Sequence, residues 1–206
     1  RMGDLGYTSK AQASLYISYN SLDEHASGLL KAIKTAYEPY SHFKTADGSP
    51  TQLNNSILQI ENEFYSTIRP KRVTGAGVRP VHMLREKGVE YIEVRLLDLN
   101  PFLPVGIDEE QMHFLNCFLI FCLLRNSPPS NRDEYHEIDN NLQAVVRNGR
   151  DPELHLHIAG QPRGLRQWAT EIMQEVGDIA SLLDTINQTT VHKQAAATQQ
   201  AKIDNA

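Results

Sequence analysis

The residues best suited to chemistry lie between positions 89 and 98, where apolar side chains alternate with charged and aromatic ones. The β-branched and aromatic content predicts a strand, and strand alternation places Tyr91, Glu93 and Arg95 on one face. Side chains two residues apart on a strand lie roughly 6.6 Å apart. A carboxylate and a guanidinium at that spacing can hold two ends of one polyanionic group, or of its metal, so the segment indicates phosphate chemistry. The opposite face, which we predict to cover a core, consists of Ile92, Val94 and Leu96.

A second predicted strand, over residues 58–65, has the same alternating design. Its apolar face consists of Leu58, Ile60 and Phe64, and its polar face of Gln59, Glu61, Glu63 and Tyr65. Between the two predicted strands, residues 69–77 form a basic connection that contains proline and glycine and is too long for a two-residue hairpin. If the strands pair, their polar faces form a shared acidic floor with basic residues at its rim.

The remaining elements must position this pair of strands. Periodicity and capping residues predict helices over 21–37, 83–87, 108–124, 138–148 and 165–186, and a short strand over 154–158. Asp108 is the predicted N-cap of the third helix, with Gln111 three residues further on, and Gly149 ends the fourth. The pattern predicts an α+β fold in which long helices pack on a mostly antiparallel sheet.

Length and composition exclude several classes of protein. A chain of 206 residues can bury a core and contains no obvious linker, so we predict a single domain over 1–206. Residues 188–206 are predicted to be a disordered or frayed tail, with the exposed start of a helix as the alternative for 194–202. The net charge of −5 disfavours a nucleic-acid binder. The hydrophobic run over 114–124 is too short for a membrane span, which needs about 20 apolar residues, and predicts a buried helix. We therefore expect no nucleic-acid or membrane partner and, by default, a cytoplasmic location.

The cysteines and histidines give little indication of metal or redox chemistry. Cys117 and Cys122 lack the spacing of a metal or redox motif and lie in an apolar run, so we predict two buried, reduced thiols. His155 and His157 share one face of the predicted strand over 154–158, but no third ligand lies nearby in the sequence.

Several motifs, taken in order along the chain, resemble one family. They are Arg1-Met2-Gly3-Asp4-Leu5-Gly6-Tyr7, Ile60-Glu61-Asn62-Glu63-Phe64-Tyr65, Ile68-Arg69-Pro70-Lys71-Arg72, Glu90-Tyr91-Ile92-Glu93-Val94-Arg95, and Asp98-Leu99-Asn100-Pro101-Phe102 followed by Gly106-Ile107-Asp108-Glu109. Together they resemble bacterial glutamate-cysteine ligase (γ-glutamylcysteine synthetase). The resemblance is good over residues 1–124 and weakens beyond them to a helical pattern and the turn at 148–150.

The resemblance implies a catalytic core like that of glutamine synthetase, in which a curved antiparallel sheet binds ATP and magnesium at one end and amino acids at the other. It implies ATP-dependent joining of the γ-carboxylate of L-glutamate to the amine of L-cysteine, through a γ-glutamyl phosphate, as the first step of glutathione biosynthesis. ATP is then a co-substrate, and Mg²⁺, with Mn²⁺ as an alternative, is the metal that bridges phosphate oxygens.

The resemblance also implies roles for individual residues. Glu93 matches a magnesium ligand and Arg95 an arginine that contacts the transferring phosphate. The residues matching the cysteine pocket are Arg1, Tyr7 and Tyr65, and those expected near nucleotide or phosphate are Asn62, Arg69, Lys71 and Arg72. Glu61 and Glu63 receive no role from their spacing.

In the family, most other magnesium ligands and much of the glutamate and nucleotide site lie upstream of the position matched by Arg1. We therefore expect the chain to be a C-terminal-half fragment, one partial catalytic domain that lacks the N-terminal part of the same enzyme and is inactive alone.

Other interpretations of the same residues stay open at this point. The parent protein can be another carboxylate-amine ligase with a different acceptor amine, or a non-catalytic binding module of the same fold. Glu93 and Arg95 can form a solvated ion pair, Tyr7 and Tyr65 can be ordinary half-buried tyrosines, and the basic residues 69–72 can form a solvated turn.

Overall fold

The computed structural model of the protein describes residues 9–205, which divide into two compact units. The first unit ends at Leu97 and the second begins at Asp98. The interpretation of the whole chain as one domain stays a prediction, whereas the α+β class is confirmed. The elements are α1 (Leu22–Lys34), β1 (Ile68–Lys71), α2 (Pro80–Lys87), β2 (Tyr91–Val94), α3 (Glu109–Leu124), α4 (Arg132–Asn148), β3 (His155–Ile158), β4 (Gln161–Gly164), α5 (Leu165–Asn187) and α6 (Val191–Asp204).

Helix α1 supplies the core of the first unit. Ser21 caps it, because its hydroxyl accepts a hydrogen bond from the backbone N–H of Glu24 at 3.1 Å. Acidic residues occupy the first turn and lysines the last, which complements the helix dipole. Its apolar side packs into a cluster of buried residues that consists of Ile17, Leu29, Ala32, Leu58 and Phe64.

The strand that pairs with β2 is not the one predicted from the sequence. Strand β1 overlaps the start of the predicted basic connection and pairs antiparallel with β2. Residues 58–65 instead contain a short 3₁₀ turn, Glu61–Glu63. Side chains satisfy the backbone there: Glu63 accepts from the N–H of Gln59 at 2.7 Å, and Gln12 bonds the carbonyl of Glu63 and the N–H of Tyr65. No acidic floor forms, because β1 brings arginine and lysine to the shared face.

Strand β2 is shorter than predicted, and the prediction that its apolar face covers a core is wrong. Ile92 is 46% exposed and Leu96 is 40% exposed. The partner strand is only four residues long and has Pro70 opposite Ile92, so little apolar surface lies beside that face.

The second unit is helical, with one small hairpin formed by β3 and β4. Helices α3, α5 and α6 meet around a cluster of buried residues, which consists of Cys117, Phe121, Met173, Val176, Ala180 and Ala196. The predictions of α5 and of strand β3 are confirmed to within two residues at each end.

Caps define the ends of the helices in the second unit. The prediction for Asp108 is confirmed, since its carboxylate accepts from the N–H of Gln111 at 2.7 Å. Helix α4 begins six residues before the predicted start at 138, because Asn131 and Glu134 form a complete capping box. Gly149 ends this helix, as predicted.

Residues 191–204 form α6, so of the two interpretations of this stretch the disordered or frayed tail is wrong. The helix is held by burial of His192, Ala195 and Ala196, whose small or paired side chains allow close packing. Asp184 of α5 binds the first turn of α6 through the backbone N–H groups of His192 and Lys193.

Two predictions about the hydrophobic run over 114–124 need correction. Cys117 is buried, but Cys122 is exposed. Helix α3 is not buried all round, since Leu123 is 81% exposed and Leu124 is 64% exposed within the described chain. Its sequence is apolar on every side, so burying one face against α5 and α6 leaves the other uncovered. Across residues 9–205, no helix has the length and apolar character of a membrane span.

Candidate active site

The ladder between β1 and β2 brings the predicted chemistry-bearing residues together. In this antiparallel register Arg69 lies directly opposite Glu93, and Lys71 lies opposite Tyr91. Residues directly opposite, and those two apart on one strand, project from the same face of the sheet. The backbone N–H of Arg95 continues the ladder to the carbonyl of Thr67 at 2.8 Å. One face of the strand pair therefore carries three cationic side chains around a single carboxylate.

The carboxylate of Glu93 is held between two guanidinium groups. Its Oε2 accepts from Nε and Nη2 of Arg69 at 3.0 and 2.6 Å. Its Oε1 accepts from Nε of Arg95 at 2.8 Å and lies 2.7 Å from Nη2 of the same residue. The side chains are 30% exposed for Glu93, 11% for Arg69 and 28% for Arg95. These are two-point, partly buried ion pairs, which are stronger than exposed single contacts.

The two arginines fix the charge state of Glu93. Hydrogen bonds from Arg95 and then from Arg69 lower the pKa of Glu93 from 4.5 to about 2. The carboxylate is therefore ionised throughout the physiological pH range. The hydrogen bond that Arg95 donates to Glu93 likewise raises the pKa of Arg95, and the nearby phenol of Tyr65 adds to that effect.

Arg69 also links Glu93 to the 3₁₀ turn of the first unit. Its Nη1 donates to the backbone carbonyls of Asn62 and Phe64 at 3.0 and 3.1 Å. That turn precedes Tyr65, whose phenol lies near Arg95. Five of the predicted site residues are thus brought together: Asn62, Tyr65, Arg69, Glu93 and Arg95.

The guanidinium of Arg72 binds the end of helix α2. It donates from Nε to the carbonyl of Gly88 at 2.6 Å and from Nη2 to the carbonyl of Lys87 at 2.8 Å, at the end of α2. Its Nη1 lies 3.6 Å from Oε2 of Glu90. These contacts satisfy carbonyls that the end of a helix leaves without partners.

The four residues predicted to lie near nucleotide or phosphate all line one cavity of about 330 Å³ in the first unit: Asn62, Arg69, Lys71 and Arg72. This volume is within the range of small-molecule sites, which begins at about 300 Å³. The ammonium of half-buried Lys71 makes no hydrogen bond or ion pair with any residue in 9–205, so it can meet an anion. The cavity floor is apolar and includes Leu29, Phe64 and Val81.

Arg1 and Tyr7, predicted for the cysteine pocket, lie outside the described residues. Gln12, which bonds the carbonyl of Glu63 and the N–H of Tyr65 at the end of the Glu61–Glu63 turn, was missed, and no local pattern around it signals this role. The second partner of Glu93, Arg69, was placed near nucleotide from the sequence because its strand was not identified.

Glu93 supplies the kind of ligand that Mg²⁺ takes, but both of its oxygens accept hydrogen bonds from guanidinium groups, so a bound metal would replace one of those contacts. Mg²⁺ is usually bound through one or two carboxylates, substrate phosphates and water, and this carboxylate is ionised. Within residues 9–205 no three His, Cys, Asp or Glu side chains are grouped to hold a metal ion.

The comparisons with known proteins agree with the motifs. The family model described as glutamate-cysteine ligase matches residues 1–145. Glutamate-cysteine ligase of Pseudomonas entomophila is 50% identical over 206 residues, which is 100% of this chain and 39% of that protein. The enzyme of Pseudomonas aeruginosa strain PAO1 is 48% identical over 207 residues, again covering 39% of its length. Similarity therefore extends past residue 124, where the motifs weaken.

A solved structure supports the same assignment. The crystal structure of glutamate-cysteine ligase from Francisella tularensis in complex with AMP has a TM-score of 0.88 and 35% sequence identity to this chain, and the match covers 98% of this chain and 40% of the other. The chain thus spans about two fifths of the length of these relatives. With a family model that matches well over half of its residues, the chain belongs to the glutamate-cysteine ligase family.

Proposed function

We propose that this chain forms one wall of the active site of a longer parent enzyme, an ATP-dependent ligase that makes γ-glutamylcysteine from L-glutamate and L-cysteine. Membership in the family supports the reaction, and the Arg69–Glu93–Arg95 arrangement is the observation that carries the role of this wall. The rest of the site would come from the part of the parent enzyme that precedes Arg1.

Arg95 would stabilise the transferring phosphoryl group. Transfer from ATP to the γ-carboxylate develops negative charge on phosphoryl oxygens, and catalysis of such steps depends on fixed cations. The contact with Glu93 uses Nε and Nη2 of Arg95, so the guanidinium is held in one orientation while Nη1 remains to bind a phosphate oxygen.

Glu93 would hold magnesium with its ionised carboxylate, and Mn²⁺ would be accepted as an alternative. When bound, the metal would neutralise charge on the ATP phosphates. Lys71 and Asn62, which line the cavity beside the strand pair, would bind the nucleotide.

Tyr65, together with Arg1 and Tyr7, would bind L-cysteine. A phenol donates a hydrogen bond to a carboxylate, and a guanidinium binds one at two points. The position of Tyr65 near Arg95 would bring the attacking amine close to the acyl phosphate. We place the parent enzyme in the cytoplasm, where cysteine is kept reduced.

The proposal is tested with the purified parent enzyme by measuring phosphate release together with γ-glutamylcysteine formation. We expect both products in equal amounts and only when ATP, L-glutamate, L-cysteine and Mg²⁺ are all present. Faster phosphate release with another small amine than with cysteine would overturn the assignment of the acceptor.

The isolated chain is the matched control for the proposal that the active site needs residues from the rest of the parent enzyme. We expect it to form no γ-glutamylcysteine under conditions where the parent enzyme is active. Product formation by the isolated chain at the rate of the parent enzyme would contradict the proposal that the site needs residues outside it.

A further inference from the structure

We propose that Arg69 is a positioning residue that orients Glu93 and the Glu61–Glu63 turn, and that it does not bind the nucleotide. This inference rests on the proposed function, and it changes the role that the sequence suggested for Arg69. It is carried by the use of the guanidinium donors, the burial of the side chain and the register of the strands.

The guanidinium of Arg69 has almost no donor left for a ligand. An arginine has five N–H donors. Nε and Nη2 of Arg69 bind Oε2 of Glu93, and Nη1 binds the carbonyls of Asn62 and Phe64. Four donors are therefore in use, and the side chain is only 11% exposed. A phosphate contact through more than the one remaining N–H would break bonds to the carboxylate of Glu93 or to the backbone carbonyls of Asn62 and Phe64.

Arg95 binds the same carboxylate as Arg69 but is more exposed, as expected for an arginine that also binds a ligand. Its side chain is 28% exposed, and its hydrogen bonds go to Oε1 of Glu93. Arg69 lies on the inner side of Glu93, between the carboxylate and the turn, whereas Arg95 follows Glu93 on β2 at the more open side. Arg69 therefore holds the carboxylate of Glu93 in place, and Arg95 keeps a guanidinium N–H available for a phosphate oxygen.

The same contacts couple two parts of the site. Asn62 and Tyr65 belong to the turn segment, and Glu93 and Arg95 belong to β2 and its continuation. Arg69 is the described side chain that hydrogen-bonds to both segments. Loss of its guanidinium removes the partner of Oε2 of Glu93 and the bonds to the Asn62 and Phe64 carbonyls together, while Arg95 still holds Oε1.

The kinetic test is a double-mutant cycle in the parent enzyme with Arg69→Gln, Glu93→Gln and the double variant. Second partners of metal-binding side chains typically contribute about 10- to 100-fold to activity, so we expect Arg69→Gln to lower kcat by that factor with the KM for ATP nearly unchanged. Because Arg69 acts largely through Glu93, the double variant should lose clearly less activity than the product of the two single losses. A rise in the KM for ATP with unchanged kcat, or losses that multiply, would overturn the proposal.

Arg85→Gln is the matched control in the same unit. Its guanidinium pairs with Asp23 at 3.4 Å, and both side chains are largely exposed. Removing it changes the net charge as Arg69→Gln does, without touching Glu93. We expect its kcat and its KM for ATP to equal those of the wild type.

A second readout does not depend on ligase activity. Urea unfolding of the same variants measures the contact directly: the midpoint losses of Arg69→Gln and Glu93→Gln should sum to more than the loss in the double variant. Additive midpoints would show that the contact is absent and would overturn the positioning role. If the wild type makes no γ-glutamylcysteine, the proposed function fails while this cycle still decides the role of Arg69.

If Arg69→Gln does not fold, the Arg69→Lys variant provides the same kinetic test. A lysine retains the charge but cannot bind Glu93 and both carbonyls with one ammonium. We expect its kcat to lie between those of the wild type and Glu93→Gln, again with the KM for ATP nearly unchanged. A KM for ATP raised tenfold in Arg69→Lys would identify Arg69 as a nucleotide contact.

Discussion

Arg69 and Glu93 face each other across the antiparallel strands β1 and β2, with Nη2 of the arginine 2.6 Å from Oε2 of the glutamate. Arg95, two residues after Glu93, binds the other carboxylate oxygen. This arrangement keeps the carboxylate ionised and fixes both its position and that of Arg95. The sequence left open a simple solvated ion pair between Glu93 and Arg95. The structure differs from that alternative, because a second arginine, Arg69, binds Glu93 and links it to the preceding turn.

Substitution of Arg95 should affect the chemical step more than substrate binding. Arg95→Lys in the parent enzyme keeps a positive charge but loses the planar fork that binds Glu93 and a phosphate oxygen together. We expect kcat to fall by about 10²- to 10³-fold, as for other groups that stabilise transition-state charge. Steady-state kinetics measures this, with Arg85→Lys as the control. A change confined to the KM for cysteine would contradict the role in phosphoryl transfer.

Lys71 should contribute to nucleotide binding. Lys71→Met removes the ammonium from the cavity and keeps much of the side-chain volume. Because a hydrogen bond to a charged group contributes about 1.5–3 kcal/mol, we expect the KM for ATP to rise by about tenfold or more. Lys31→Met, at an exposed position of α1, is the control. Equal KM values for ATP in the two variants would remove Lys71 from the site.

The stability contributed by Glu93 should depend on pH. Its pKa is lowered from 4.5 to about 2 in the folded protein by Arg95 and Arg69, so its contribution is complete above pH 4.5 and is lost as the pH falls from about 4.5 to about 2. We expect the difference in urea midpoint between wild type and Glu93→Gln to be constant from pH 7 to pH 5 and to shrink below pH 4.5. The same comparison with Glu38→Gln, whose side chain is 84% exposed, should show no such trend.

Asp184 should hold α6 in place. Its Oδ1 accepts from the backbone N–H and Nδ1 of His192, and its Oδ2 accepts from the N–H of Lys193. Burial favours the neutral acid, but these hydrogen bonds prevail and lower the pKa of Asp184. In Asp184→Asn one of the two acceptor oxygens becomes a donor, so an amide of the α6 first turn is left unpaired.

We expect Asp184→Asn to lower the Tm of the parent enzyme by roughly 5 °C and to accelerate hydrogen exchange across α6. Asp178→Asn, at an exposed position of the same helix, is the control. Unchanged exchange in α6 with a lowered Tm would show that the carboxylate stabilises some other part of the unit.

The sequence predicted the chemistry-bearing face of β2 but not its partner strand. Alternation alone placed Glu93 and Arg95 together, and the structure agrees. The true partner, β1, contains Pro70 and two basic residues, which is atypical of a strand and typical of a loop. Residues 58–65 alternate more like a strand than β1 does. Their apolar residues Leu58 and Phe64 are nonetheless buried before and after the Glu61–Glu63 turn, which side-chain hydrogen bonds stabilise.

Helix α6 was not predictable from local pattern for a related reason. Its sequence is polar and rich in alanine, and no apolar stripe marks the face that is buried. It is stabilised by close approach of small residues and by Asp184, seven residues before its first residue. The start of α4 was predictable, because Asn131 followed by Glu134 is a capping-box sequence.

The most direct test of the central claim is a magnesium titration of the parent enzyme and its Glu93→Gln variant. The claim is that the carboxylate between Arg69 and Arg95 belongs to the γ-glutamyl ligase site. We expect γ-glutamylcysteine formation by the variant to fall by at least about 10- to 100-fold and to require more Mg²⁺ for half-maximal rate, while its fold is unchanged by circular dichroism. Wild-type turnover with wild-type magnesium dependence in Glu93→Gln would contradict the claim.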